Sequence, residues 1–286
     1  PRKRSMPPPV SLVESYDRYF ASRLYEQRYP QANPSTLAIV LDQLGAQGGS
    51  VLDIGCGSGR YAEALLERTP LSVVACDVSR EAIDELSSRY AGHVASGRLR
   101  PLLGDLSVVA KSIDPDERFD LAIMLFGVLA HIYSRALRRQ TLAAIRVLLR
   151  PGGRIVVSVP NAGRRFPRQQ VASRKLVEAG HLELGDVLYE RTSDDGVVEM
   201  YYHLYGLDEF VQELEEQGFR ILHVGAESVL PESGVVRSKV LHKLDRLLTR
   251  LLPLRYAYGF LAVAEASGDG DESTRMAQPP APGQRQ

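Results

Sequence analysis

From Ser50 onward, short β-branched apolar runs alternate with longer stretches whose apolar residues recur every three to four positions. That is the pattern of a parallel sheet joined by crossover helices. The runs are Ser50–Ile54, Ser72–Asp77, 98–103, 119–125 and, after Pro151-Gly152-Gly153, 154–159. They predict five strands. After the second, Ser79 is placed to cap a helix, Glu81 favours its positive end, and Ile83, Leu86 and Tyr90 share one face. Another helix starts after Ser134, carries Leu137, Thr141, Ala144, Ile145 and Leu148 on one side, and should stop at Pro151-Gly152.

Beyond Pro160 the pattern changes. The runs 186–191 and 197–205 flank Ser193-Asp194-Asp195-Gly196, whose Asp-Gly step suits a hairpin turn. Strand alternation puts Glu199, Tyr201, His203 and Tyr205 on one face and Val198, Met200, Tyr202 and Leu204 on the other; the polar face either roofs a site or faces solvent. A helix over 208–217 closed by Gly218, a strand over 219–224 and a final strand over 258–264 complete the series. With no short crossover helix between them, these two strands are expected to pair antiparallel at the sheet edge. The stretch 236–252 reads as a helix with Val240, Leu244, Leu247, Leu248 and Leu251 on one side, and packing over the sheet is its simplest fate. The expected organisation is a disordered start over 1–10 and one domain over 11–266, with an acceptor-side insertion at 161–206 and a helical insertion at 229–254. A disordered tail over 267–286 follows.

With 286 residues, 44% of them hydrophobic, the chain is long enough to close a large core. Thirty-five basic residues balance 35 acidic ones, so no global field draws it to nucleic acid or to an anionic membrane. No apolar run is long enough to span a bilayer, and the start lacks a hydrophobic signal core. Two cysteines, Cys56 and Cys76, supply neither a disulfide framework nor four zinc ligands. A reducing, cytoplasmic setting and no metal are the expectation.

The most informative stretch is Val51 through Arg60, VLDIGCGSGR, a strand running into a glycine loop and then a helix. Such a loop lets backbone approach a ligand closely. Two details separate it from a dinucleotide fingerprint. Arg60 stands where a third small residue is required, and Asp53 at the ligand end of the strand would repel a pyrophosphate but attract an ammonium. An acid also ends each of the next two strands, Asp77 and Asp105. The chain resembles the class I S-adenosylmethionine-dependent methyltransferases, whose first motif is similar to Leu52-Asp53-Ile54-Gly55-Cys56-Gly57-Ser58-Gly59. The resemblance implies a Rossmann-like seven-stranded α/β sheet in the order 3-2-1-4-5-7-6, last strand antiparallel, with a hairpin insertion after the fifth strand. It implies S-adenosyl-L-methionine as cofactor and S-adenosyl-L-homocysteine as product, with Asp53, Gly55, Cys56, Gly57 and Gly59 around the methionine portion. Asp77 and Val78 are then the ribose side, Asp105 and Leu106 hold adenine, and Leu125 lies where the fourth motif borders cofactor and acceptor. In related enzymes the aromatic lead from Tyr16 to Pro30 forms a lid, and Arg28 and Tyr29 are its cofactor-side candidates.

Methyl transfer needs the acceptor aligned at ~3 Å and water excluded, and a base only if the acceptor must lose a proton. His131, just past the fourth strand, and His203 in the hairpin are the candidate catalytic residues. Arg164, Arg165, Arg168, Arg174 and Lys175 cluster beside the expected pocket, enough for phosphate contacts, but no aromatics interleave them. Arg237, Lys239, Lys243, Arg246 and Arg250 line the late helix, which also suits a membrane surface or a protein partner. The favoured reading is O- or N-methylation of a small or medium-sized metabolite. A tRNA-modifying enzyme is the alternative, since Tyr201-Tyr202-His203-Leu204-Tyr205 is similar to a stretch in tRNA wobble-uridine methyltransferases. A non-catalytic, cofactor-binding partner subunit is the alternative of another class.

Overall fold

The structure is a computed structural model that describes residues 11–44, 49–193 and 196–267. The expected disorder at 1–10 and, Ser267 apart, over 267–286, and the Asp194-Asp195 turn, lie outside the described residues; the Ser267 amide donates to the Gly218 carbonyl at 2.9 Å. Nine strands are present among them: β1 (Ser50–Ile54), β2 (Ser72–Asp77), β3 (Leu99–Leu103), β4 (Phe119–Met124), β5 (Leu149–Pro160), β6 (Asp186–Ser193), β7 (Gly196–His203), β8 (Phe219–Ser228) and β9 (Gly259–Ala266). Seven form one sheet in the order β3-β2-β1-β4-β5-β9-β8, and β6 pairs with β7 as a separate antiparallel hairpin. The first five are parallel, while β9 runs antiparallel to both β5 and β8. With β8 and β9 as sixth and seventh strands, this is the Rossmann-like methyltransferase order that the motifs imply.

Alternation along the strands divides the core between the two faces. Leu52, Val74, Ala122, Met124 and Val157 pack beneath the helix Arg135–Leu148 and the hairpin. Val51, Val73, Ala75, Leu121 and Val156 pack against Leu37, Leu65 and Leu86 of the helices Pro34–Asp42, Arg60–Arg68 and Arg80–Arg89. Ser79 caps the last of these, its hydroxyl accepting from the Ala82 amide.

Several expectations are corrected. β5 begins at Leu149, not at 154: Leu149 pairs with Phe119, and Pro151-Gly152-Gly153 fits a register irregularity in which Gly152 takes φ 74°. The helix after Ser134 buries Arg138, Leu142, Ile145 and Leu148 and leaves Leu137 exposed. A charge displaces an apolar residue there because Arg138 finds Glu183 at 2.9 Å and Glu213 at 3.4 Å. β7 stops at His203, after which Tyr205 makes a single bridge to Asn161. The late helix spans Lys239–Leu251 and turns Val240, Leu244, Leu247 and Leu251 outward, leaving only Leu248 of the expected apolar side half-buried. Its anchor is polar: the buried Asp245 carboxylate accepts the Val229 and Leu230 amides at 2.8 and 2.7 Å, fixing which side faces inward. Among the described residues no helix is long and apolar enough to cross a membrane.

Candidate functional site

The carboxyl ends of the parallel strands open into a cavity of about 590 Å³, where open α/β sheets bind ligands. Gly55, Gly57, Asp77, Val78, Asp105, Leu106 and Leu125 line one part of it. Gly55 and Gly57 take φ of 68° and 54°, and the backbone is hemmed in: a Cβ on Gly55 would stand 2.5 Å from Val128, one on Gly57 3.0 Å from Phe20. Asp77 ties the loop to the end of β2. One carboxylate oxygen accepts the Gly57 amide and the other the Ser79 amide, each at 2.9 Å. Burial raises the Asp77 pKa and these N–H bonds oppose the rise. Asp105 accepts the Val108 amide at 3.1 Å and so holds the short helix Leu106–Val109 at the cavity edge.

Asp53, Cys56 and Gly59 belong to the same loop but do not line the cavity. Gly59, at φ 90°, starts the helix Arg60–Arg68 and lies so close to the next helix that a Cβ would sit 2.2 Å from Leu86. Cys56 and Cys76 are buried free thiols, held protonated because burial pushes both well up. Asp53 is different: it is buried with Oδ2 lacking any partner among the described residues, and burial, then the Asp77 charge, push it up to about 7. An orphaned carboxylate oxygen beside a glycine cradle is the complement of an ammonium.

The segment expected to form a lid folds as the helices Leu12–Ala21 and Leu24–Arg28. Asp17 fastens it beside the carboxyl end of β2, accepting from the Ser79 hydroxyl at 2.7 Å and the Arg80 amide at 2.8 Å. Tyr16, Tyr25, Arg28 and Tyr29 thereby line the cavity.

Opposite the acids the wall is aromatic and basic. His131 stacks on Tyr202 at 4.2 Å between ring centres and meets Tyr16 edge-on at 5.2 Å. Its Nδ1–H donates to the Tyr201 carbonyl at 2.9 Å. Burial pushes its pKa down to about 3, and Arg165 and Arg191 push in the same direction. Held neutral, His131 is suited to accept a hydrogen bond at Nε2 and poorly suited to take up a proton. His203 stands away from the cavity lining: Nδ1 donates to Asp186 at 2.7 Å and Nε2 to Glu209 at 3.2 Å. Burial opposes its charge, but the two carboxylates hold its pKa above the ordinary value. Glu183, Asp186 and His203 converge closely enough for a metal, but the Asp186 oxygen serving His203 also accepts the Tyr201 hydroxyl, and Glu183 accepts from Arg138.

The roof comes mainly from the apolar face of the hairpin. Met200 and Tyr202 line the cavity with Tyr189 from β6 and Tyr201, whereas Glu199 faces out and the Tyr205 hydroxyl donates to Glu213 at 2.8 Å. The hairpin continues the core with its apolar face down, and of the polar face only Tyr201 lines the cavity.

Sequence reasoning placed the end of the fourth motif at the site but missed its backbone geometry and the two buried acids near it. Phe126 and Gly127 both take positive φ, 62° and 77°, where the Phe126 amide donates to the Ser158 hydroxyl at 2.7 Å. Its ring contacts Tyr29 at 4.4 Å and lies 4.5 Å from the Arg60 guanidinium, which is ion-paired to Glu232 at 3.0 Å. Glu227 at the end of β8 is buried on the cavity wall, and burial with the Glu232 charge pushes it up to about 8. The Phe-Gly pair after a buried strand was the available signal; the two acids carry no periodic signature.

A sheet of this order with a glycine loop at β1 and acids ending β2 and β3 defines the class I S-adenosylmethionine-dependent methyltransferase fold. Residues 51–153, about a third of the chain, match the family described as methyltransferase domain. Among relatives, an mRNA cap guanine-N(7) methyltransferase of Arabidopsis thaliana is 30% identical over 150 residues, 49% of this chain and 39% of that protein. A malonyl-[acyl-carrier protein] O-methyltransferase of a Paenibacillus species is 28% identical over 190 residues, 64% and 54% of the two chains. The chain spans about a third to a half of the length of the first curated relatives it matches. The solved 1,6-didemethyltoxoflavin-N1-methyltransferase of Burkholderia thailandensis, with bound S-adenosylhomocysteine, superposes with a TM-score of 0.54 at 20% identity, covering 92% of this chain and 94% of that one.

Proposed function

We propose that the chain is an S-adenosylmethionine-dependent methyltransferase acting on a small or medium-sized, planar acceptor that carries negative charge. The observation that carries this reading is one continuous cavity with two chemistries: glycines and carboxylates at one part, aromatic rings and guanidinium groups at the other. Bound S-adenosylmethionine supplies an electrophilic methyl group. Gly55 and Gly57 would cradle its methionine portion, the buried Asp53 behind them would attract its ammonium through an intervening water, Asp77 would accept from its ribose, and Asp105 and Leu106 would hold its adenine. Tyr16, Tyr202 and Phe166 enclose the acceptor and exclude water, Arg165 and Arg191 receive its negative group, and His131 orients a hydroxyl or amine. Arg165 already lies 4.2 Å from the Tyr258 ring centre and 5.7 Å from that of Tyr202, so guanidinium and aromatic faces are presented together.

Methyl-labelled cofactor incubated with host extract is expected to label a small-molecule product. Label appearing in RNA would favour the RNA reading, and saturable cofactor binding without any labelled product would favour a partner subunit. The acceptor chemistry is read with anilinonaphthalene sulfonate, a planar aromatic anion, against its uncharged analogue phenylnaphthylamine. Arg165→Gln should weaken the anion about tenfold and leave the neutral probe unmoved; equal loss of both would remove the charge argument.

Cofactor affinity is also expected to depend on pH through Asp53. Its carboxyl is protonated in the free protein below about 7, and the ionised form is the one that attracts an ammonium. Binding of S-adenosylhomocysteine should therefore tighten as pH rises through 7, and Asp53→Asn should flatten the profile. Because the folded pKa is raised above the unfolded value, the free protein should lose stability over the same rise. Calorimetry from acid to mildly alkaline pH checks both, and identical slopes in parent and variant would exclude Asp53 as the source.

A further inference from the structure

The helix Lys239–Leu251 is an amphipathic helix turned inside out relative to the core. Its outermost residues are apolar: Val240 is 75% exposed, Leu244 43%, Leu247 53% and Leu251 68%. They stand at i, i+4, i+7 and i+11, which makes one continuous stripe about 16 Å long at the rise of an α-helix. Beside it, one residue back at every step, runs a second stripe at the same spacing, Lys239, Lys243, Arg246 and Arg250. The helix has one acid, Asp245, and it is buried with its carboxylate given to the Val229 and Leu230 amides. The outward side therefore combines exposed leucines with cations and carries no acid of the helix itself.

A single apolar side chain on a surface needs no explanation, but four in register do. A leucine stripe flanked by lysine and arginine is the arrangement that buries apolar side chains at the boundary of acyl chains and headgroups while the cations meet lipid phosphates. The patch continues past the helix into exposed Leu252, Arg255 and Tyr256. It also adjoins the site at both ends of the insertion. Pro231 and Glu232 before the helix and Tyr258 after it line the cavity, and Arg164 donates to the Tyr256 carbonyl at 2.9 Å.

We propose that Lys239–Leu251 is an interfacial helix that seats the protein on an anionic phospholipid surface, beside the acceptor part of the cavity. Charge complementarity selects this occupant: a second copy of the same face would bring the two basic stripes together. The inference stands apart from the cofactor reading, since it concerns a surface that no cofactor residue shares.

The test is sedimentation of the full chain with vesicles of phosphatidylglycerol and phosphatidylcholine, against phosphatidylcholine alone, with S-adenosylhomocysteine affinity measured in parallel to report the state of the site. At least tenfold stronger partition onto the anionic vesicles is expected, falling several-fold at high salt. Leu247→Glu/Leu251→Glu should abolish it at least tenfold, and Lys243→Gln/Arg246→Gln/Arg250→Gln should remove the preference for anionic lipid; these positions are exposed, so thermal stability should be kept. Equal or absent partition onto both vesicle types would overturn the proposal. So would light scattering that shows the leucine variant converting a dimer into a monomer, because the face would then belong to a second copy.

Discussion

Asp77→Ala is expected to weaken S-adenosylhomocysteine binding about 100-fold, or roughly 2.8 kcal/mol. The carboxylate has two duties at once. Its oxygens hold the Gly57 and Ser79 amides at 2.9 Å, fixing the shape of the glycine loop, and their remaining lone pairs face the cavity where ribose hydroxyls would donate. Charge-assisted bonds of this kind are worth about 1.5–3 kcal/mol each, so losing two ligand bonds at the lower end of that range accounts for the size of the effect. Asp77→Asn retains one acceptor oxygen and should lose less. Isothermal calorimetry reads the affinities, with circular dichroism to confirm folding. An affinity within threefold of the parent in the alanine variant would show that the acid at the end of β2 does not hold the ligand.

The largest stability effect is expected at Arg60. Its guanidinium is buried, paired to Glu232 at 3.0 Å and stacked against Phe126, so Arg60→Met removes one partner of an enclosed ion pair. Breaking such a pair costs about 3–5 kcal/mol, since the remaining charge is left without compensation. Burial already raises the pKa of Glu232, against the pull of Arg60, so the abandoned carboxyl can take up a proton at lower pH. The loss should accordingly deepen as pH rises and ease as it falls. Adding Glu232→Leu to Arg60→Met should recover most of it, as coupled neighbours do. Urea unfolding at two pH values measures these differences, and a loss below about 1 kcal/mol for the single variant would contradict the account.

Arg60 also illustrates what a linear reading misses. Its position after the glycine loop separates the chain from a dinucleotide fingerprint, yet its partner lies 172 residues away, on the short helix Glu232–Val235. Glu232, Glu227 and Ser158 meet around Phe126 only because β8 and β9 fold back beside β5. The hairpin shows the same limit in another form. Alternation correctly separates Tyr201 and His203 from Met200 and Tyr202, but alternation is symmetric, and which face meets the sheet depends on what lies beneath. Here the core continues under Met200 and Tyr202 and draws the apolar face inward.

The strands and the motif positions Gly55, Gly57, Asp77, Asp105 and Leu106 were legible in the chain itself, and the order of the strands came with the family resemblance those motifs carry. Local signals suffice for these: apolar runs buried on both faces, helix caps, and glycines whose positive φ only a loop of this kind requires. The tertiary structure decided the rest. It set His131 in a stack with Tyr202 where burial keeps it neutral, enclosed His203 among carboxylates away from the cavity, and pointed the leucines of Lys239–Leu251 outward. Each outcome depends on a partner distant in sequence, Asp186 for His203 and the Val229 and Leu230 amides for Asp245. An amphipathic pattern states that a helix has two sides, and only the polar group that binds the scaffold states which of them meets water or lipid.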